Sequence, residues 1–153
     1  VSDRGIAPSP VEYWEANRDQ IYADVLNGDF SYFAGTYDIY YQRANYSITL
    51  DKNGVISGGY YYYNTDQKPI SITVTGDGVV HCVIEPETEY TTEYFGETLI
   101  FESYEVYDIY PVGVHCIYDE PDVYGIDSDK IRIMYIQCGG SAGEEVDPYY
   151  KVY

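Results

Sequence analysis

The chain has 153 residues, 26 of them Asp or Glu and only 8 Lys or Arg, for a formal charge of −18. That length fits one domain with a core of its own, held without metal or disulfide staples. A surface so acidic repels phosphate backbones and anionic headgroups, which argues against nucleic acid and against direct membrane binding. It favours cations, neutral glycans and basic proteins as partners, or simply keeps the chain soluble.

Tyrosine is the second bias, at 22 residues against 4 Phe and 1 Trp. Acidic disordered chains are poor in aromatics, so this one is expected to fold. Tyr favours strands, where its ring packs and its hydroxyl stays wet. No apolar run reaches the roughly 18 residues of a spanning helix.

Residues 1–8 read as a leader or linker, and 9–153 as a single domain. Ser9-Pro10-Val11-Glu12 has the form of a helix start, with a capping hydroxyl, a first-turn proline and an acid three residues on. Val11, Trp14, Ile21, Tyr22 and Val25 recur at helical spacing. Asn27-Gly28 closes the pattern, which predicts a helix over Pro10–Leu26.

Past Phe30 the period changes to two. Tyr37, Ile39 and Tyr41 alternate with polar or outward residues, and Tyr46, Ile48 and Leu50 do the same. Asp51-Lys52-Asn53-Gly54 predicts a tight hairpin with positive φ at both Asn53 and Gly54. A return strand is expected from Val55 to about Tyr63. Ile70, Ile72 and Val74, the turn Thr75-Gly76-Asp77-Gly78, and Val79 to Glu85 predict a second hairpin. Residues 85–95 read as an acidic loop and Thr98–Tyr110 as one long strand, broken by Pro111-Val112-Gly113. Residues 118–130 read as a further acidic loop, Ile131–Gln137 as a strand, 138–143 as loop and Tyr149–Tyr153 as a closing strand. The fold class is therefore mainly β: an antiparallel meander of about eight or nine strands closed into a lipocalin-like barrel, with one N-terminal helix. A two-sheet sandwich is the alternative.

Three segments carry a family resemblance: Gly28-Asp29-Phe30-Ser31, Ala34-Gly35-Thr36-Tyr37, and the run from Ile48 to Gly59. Together they look like an uncharacterised lipoprotein domain of Gram-positive bacterial surfaces, whose members open with Gly-Asp-Phe/Tyr-Ser-Ser leading into Ala-Gly-Thr-Trp. Pro111-Val112-Gly113-Val114, Asp127 to Ile133, and Tyr149-Tyr150-Lys151 are also similar to it. Tyr37 stands where Trp is usual and Lys151 where Arg is usual. The string Phe33 to Tyr37 also resembles the Gly-x-Trp opening of lipocalin-type barrels. The resemblance implies a cell-surface lipoprotein domain, exported and tethered by lipid on a Cys upstream of Val1. The family carries no established activity, so it assigns no catalytic residue.

The residues themselves offer several candidate chemistries. His81-Cys82 and His115-Cys116 form two similar strings, but adjacent strand residues face opposite ways, so neither pair easily supplies both ligands to one metal. Cys82 and Cys116 can instead form a disulfide if their strands are neighbours, or remain buried thiols; Cys138 is a further candidate partner. Two His inside apolar runs read as structural rather than catalytic. Carboxylates abound but cluster in loops, so hydrolysis by a carboxylate pair is a minor expectation. The acidic loop from Asp119 to Asp129 has calcium-type ligands without the full twelve-residue pattern. Tyr60-Tyr61-Tyr62-Tyr63 is the best binding motif, since alternate rings face outward for stacking or protein contact. The expected function is non-enzymatic binding of a protein or glycan at the cell surface, with no cofactor. The alternative is a small-ligand carrier with a pocket inside the barrel.

Overall fold

A computed structural model of the chain describes residues 10–41, 43–58, 68–84, 90–101, 106–114, 130–136 and 149–152. The first element, α1, spans Pro10–Leu26, the predicted range. Trp14, Ile21 and Val25 are buried, and Val11 and Tyr22 pack half-buried against the same core. That is the stripe marked by the three-and-four spacing. The helix ends in a Schellman arrangement. Gly28 N–H donates to the Val25 carbonyl at 2.9 Å and Asp29 N–H to the Asp24 carbonyl at 2.8 Å. Gly28 holds φ at 89°, a conformation costly for a residue with a Cβ.

Ten strands follow among the described residues: β1 (Gly35–Tyr41), β2 (Ala44–Leu50), β3 (Ile56–Gly58), β4 (Ser71–Val74), β5 (Val80–Val83), β6 (Tyr90–Tyr94), β7 (Glu97–Phe101), β8 (Val106–Tyr110), β9 (Arg132–Ile136) and β10 (Tyr149–Lys151). Eight form one sheet in the order β3-β2-β1-β10-β9-β8-β5-β4, and every ladder in it is antiparallel. The last strand pairs with the first, Tyr37 opposite Lys151 and Asp38 opposite Tyr150. The sheet thus curls into a barrel-like meander carrying a single helix, as the alternating pattern predicts. Its two marginal strands, β3 and β4, are consecutive in the chain, and the described residues carry no ladder between them.

One core draws on the whole curl. Tyr37, Ile48, Leu50, Ile56, Val80, Cys82, Tyr107, Ile109, Ile133, Tyr135 and Tyr149 meet Trp14, Phe30 and Phe33 in a single buried cluster, with Ile72 and Val74 packed against it. A sandwich would build such a core from two separate facing sheets, whereas these strands belong to one continuous sheet, so that alternative is set aside.

The segment joining α1 to β1 stoppers one end of the curl. Phe30 and Phe33 are fully buried. Asp29 Oδ1 accepts from Ser31 N–H at 3.0 Å and Ser31 Oγ at 2.5 Å, folding the chain so that both rings point inward. Those bonds hold the Asp29 carboxyl below its ordinary range. Phe30 N–H donates to the Lys52 carbonyl at 2.8 Å, and Tyr37 Oη to the Phe33 carbonyl at 2.6 Å.

Several local expectations need correction. Gly54 alone takes positive φ in the first predicted turn, at 83°. Asp51 is the reason: its N–H and carbonyl bracket Val55 and Gly54, while Oδ1 accepts from Asn53 N–H at 2.7 Å and Val55 N–H at 3.0 Å. The result is a wider loop with one left-handed residue, not a two-residue turn. Thr75 to Val79 repeats it, with Gly78 at φ 87°. Residues 85–95 are not all loop, because Tyr90–Tyr94 is β6. Thr98–Tyr110 is not one strand but parts of two, β7 and β8, in different sheets. The return strand expected to Tyr63 is described only as Ile56–Gly58; residues 1–9 and 59–67 lie outside the described residues.

Gly54 must also be small. A Cβ there would sit 2.7 Å from the Phe30 ring, whereas one at Gly76 meets nothing within 4 Å. Gly54→Ala is expected to destabilise by about 2–4 kcal/mol, summing left-handed strain and overpacking. Gly76→Ala should stay within about 0.5 kcal/mol of the parent. Urea denaturation of the two variants checks this, and equal stabilities would contradict the packing described.

Candidate functional site

Most of the sequence-predicted site lies outside the described residues: Tyr60, Tyr61, Tyr62 and Tyr63, His115, Cys116 and Cys138, and the acidic loop Asp119–Asp129. His81 and Cys82 are described, and they diverge as strand alternation requires. Cys82 is fully buried in the core, a free thiol and not half of a disulfide. It is hydrogen-bonded to the Tyr107 hydroxyl, and burial pushes it up to about 12. Burial likewise raises the Tyr107 phenol, which donates to the Gly54 carbonyl at 2.6 Å. A thiol that stays protonated at neutral pH is a poor nucleophile and a poor metal ligand. Among the described residues, no three of His, Cys, Asp and Glu gather as a metal site.

His81 faces the outer side of the sheet. Its Nδ1 lies 2.5 Å from Asp108 Oδ1, across the β5–β8 ladder where the two residues are register partners. Burial raises the Asp108 carboxyl, and the bond to His81 partly offsets that rise. Neighbouring outer positions are also buried. Met134 and Tyr110 form a second apolar cluster with Val79, and Val114 packs against it. Arg132, 1% exposed, donates from its guanidinium to the Val114 carbonyl. This part of the sheet is therefore buried on both faces, which the alternating pattern does not reveal.

The accessible site lies elsewhere, where the helix, the Asp29–Phe33 turn and the last strand meet. Tyr13 and Tyr32 stack with ring centroids 5.5 Å apart and planes 7° from parallel. Trp14 lies behind Tyr32, at 5.9 Å and 27°. Tyr13 is 44% exposed. Lys151 Nζ sits 5.8 Å from the Tyr32 ring centre and donates to the Tyr32 carbonyl at 3.0 Å. Burial holds its ammonium below the usual lysine range. On the other face of the same strand pair, where Asp38 and Tyr150 are register partners, a depression of about 410 Å³ is lined by Asp38, Lys130, Tyr150, Lys151 and Val152. Asp38 Oδ1 accepts from Ser47 Oγ at 2.7 Å, which fixes the carboxylate beside Tyr150.

The two phenol rings of the stack lie beside the Lys151 ammonium, and across the strand the depression brings together a third phenol, the Asp38 carboxylate and Lys130. Aromatic faces with a fringe of fixed polar groups suit a polyhydroxylated ligand. Sequence reasoning did not assemble it. Tyr13 and Tyr32 are separated from Tyr150 and Lys151 by most of the chain, and only the β1–β10 register joins them. No family model, curated protein or solved structure matches the chain.

The His81–Asp108 contact has a measurable sign. An acid raised by burial binds its proton more readily folded than unfolded, so its contribution to stability falls as pH rises above the ordinary value of 3.8. Asp108→Asn keeps an acceptor for His81 and removes that penalty. The melting temperature of the variant minus that of the parent is expected to increase from below that value to neutral pH. A difference that shrinks over the same range would show the ion pair outweighing the burial cost.

Proposed function

We propose that this chain is a non-enzymatic binding domain displayed at a bacterial cell surface as part of a lipoprotein, and that the Tyr13–Tyr32–Lys151–Tyr150 strip takes a glycan. The observation that carries this reading is the Tyr13–Tyr32 stack, with Tyr13 exposed, together with the depression across the last strand that holds the fixed Asp38 carboxylate and Tyr150. A sugar ring stacks its C–H face on an aromatic ring while hydroxyls meet polar groups, Lys151 beside the stack and Asp38 and Lys130 for a further sugar in the depression. A neutral glycan also avoids the repulsion that a charge of −18 imposes on an anionic one.

The carrier alternative draws less support. It needs room inside the curl, and there Phe30, Phe33, Tyr37 and Tyr107 are fully buried against one another and the helix. The lipoprotein and surface assignments rest on the Gly28–Tyr37 and Ile48–Gly59 resemblance.

A glycan array probed with the parent chain tests the reading. Tyr13→Ala and Tyr150→Ala should each weaken the strongest signals roughly tenfold, the loss typical of a central aromatic anchor. Binding that ignores both substitutions would remove the strip from consideration. A small apolar molecule retained through purification and seen by native mass spectrometry would favour the carrier.

A further inference from the structure

The depression beside Asp38 lies on a border of the sheet's outer face, and strand register defines what meets there. One row crosses five strands, with Tyr110, Arg132, Tyr150, Asp38 and Ser47 as successive partners. Tyr110 and Arg132 are buried, Tyr150 and Asp38 are half-buried, and Ser47 is exposed. The outer face is therefore covered over β8 and β9 and open over β1 and β2. Tyr150 and Asp38 place the depression at the step between the two halves.

Alternation sets the chemistry of the open half. Tyr37, Ile39, Tyr46 and Ile48 pack into or against the core, so Thr36, Asp38 and Tyr40 of β1 and Asn45 and Ser47 of β2 face outward. Asp38 alone among these outward residues is charged. Tyr40 is 69% exposed and stands opposite Asn45, itself exposed. A single exposed ring is ordinary on a protein surface; the alignment of this one is what matters. It lies two residues beyond Asp38 on the same face, and diagonal to Tyr150 across the β1–β10 pairing. Diagonal neighbours sit about 7–8 Å apart, within reach of aromatic side chains. Two phenols thus flank a carboxylate that the Ser47 hydroxyl holds in place.

We propose that the depression continues over the β1–β2 face as one elongated site for a linear, neutral oligosaccharide, with Tyr40 stacking on a sugar beyond the one held at Asp38 and Tyr150. This inference rests on the glycan reading of the depression and names the length and charge class of its ligand. The rise from Thr36 to Tyr40 is about 13 Å, room for roughly three sugar units in line. The exposed Asn45 and Ser47 side chains, and the acceptor capacity left on Asp38, meet hydroxyl groups along that path. Asp38 and the chain's charge of −18 oppose a glycan bearing carboxylates or sulfates.

The test is calorimetric titration of the full chain with cello-, xylo- and N-acetylchito-oligosaccharides of two, four and six units. In at least one series, affinity should rise about tenfold from two units to four, the gain from one added aromatic contact, and little from four to six. Tyr40→Thr removes the ring but keeps a strand-favouring residue, so it should melt as the parent does. It should bring four-unit affinity down to the two-unit value and leave two-unit binding unchanged. Tyr40→Phe, which keeps the stacking face, should bind as the parent does. Affinity that ignores length, or a Y40T variant equal to the parent at four units, would overturn the elongated site. If Tyr150→Ala still weakened binding in that case, the glycan reading of the depression would stand. Equal losses for Y40T at two and four units would place Tyr40 within the first subsite and also overturn the extension. So would a lowered melting temperature of Y40T, which would make the ring structural, or tighter binding of oligogalacturonates than of any neutral series. Absence of binding to every oligosaccharide would end both readings.

Discussion

The fit of the Phe30 ring against the bare backbone of Gly54 holds the rest of the molecule in place. Gly54 supplies a left-handed turn, a space with no Cβ, and a carbonyl that accepts from the Tyr107 hydroxyl. Phe30 supplies the ring that fills the space and an N–H that ties the helix-to-strand turn to Lys52. One contact therefore joins the helix, the β2–β3 turn and β8. Phe33 and Trp14 complete the plug, and Lys151 binds the last strand to it through the Tyr32 carbonyl. That end is filled by aromatic rings, and the exposed Tyr13 ring lies at its border. The Tyr13–Tyr32 stack and Lys151 border the plug rather than forming part of its interior.

Sequence periodicity revealed the helix and the curl well. Helical spacing from Val11 to Val25 and the period-two runs from Tyr37 to Leu50 and from Ile72 to Ile84 reflect side chains that face one core, whereas Ile70 is exposed. The failures have local causes. Tyr90-Thr91-Thr92-Glu93 reads as loop because its composition is polar, and a strand paired only with its hairpin partner need not alternate with a core. Residues 98–110 read as one strand because no Gly or Pro interrupts them, and because Phe95-Gly96 is not a recognised turn pair. Asn53-Gly54 promised the tightest hairpin, but Asp51 accepts two backbone N–H groups and widens the loop.

The site was far less legible. The Tyr60–Tyr63 run stood out because its residues are adjacent, which is the weakest reason for side chains to act together on a strand. Lys151 reaches Tyr32, and Tyr150 lies beside Asp38, only through the pairing of the first and last strands. A single sequence carries no signal of that pairing. The same limit hid Asp108 behind His81 and the burial of Arg132 on the outer face. Alternation predicts which way a side chain points, but not what covers it.

The central claim is that Phe30 and Gly54 occupy one packed space, and a double-mutant cycle between them tests it most directly. In the parent, Gly54→Ala suffers both left-handed strain and collision with the ring. In a Phe30→Ala background only the strain remains, so the cost should fall by roughly 1–3 kcal/mol, the usual range for overpacking. Urea denaturation of the four proteins gives that coupling energy. Additive costs would mean that the ring and the turn do not meet, and the plugged end would be lost from the account.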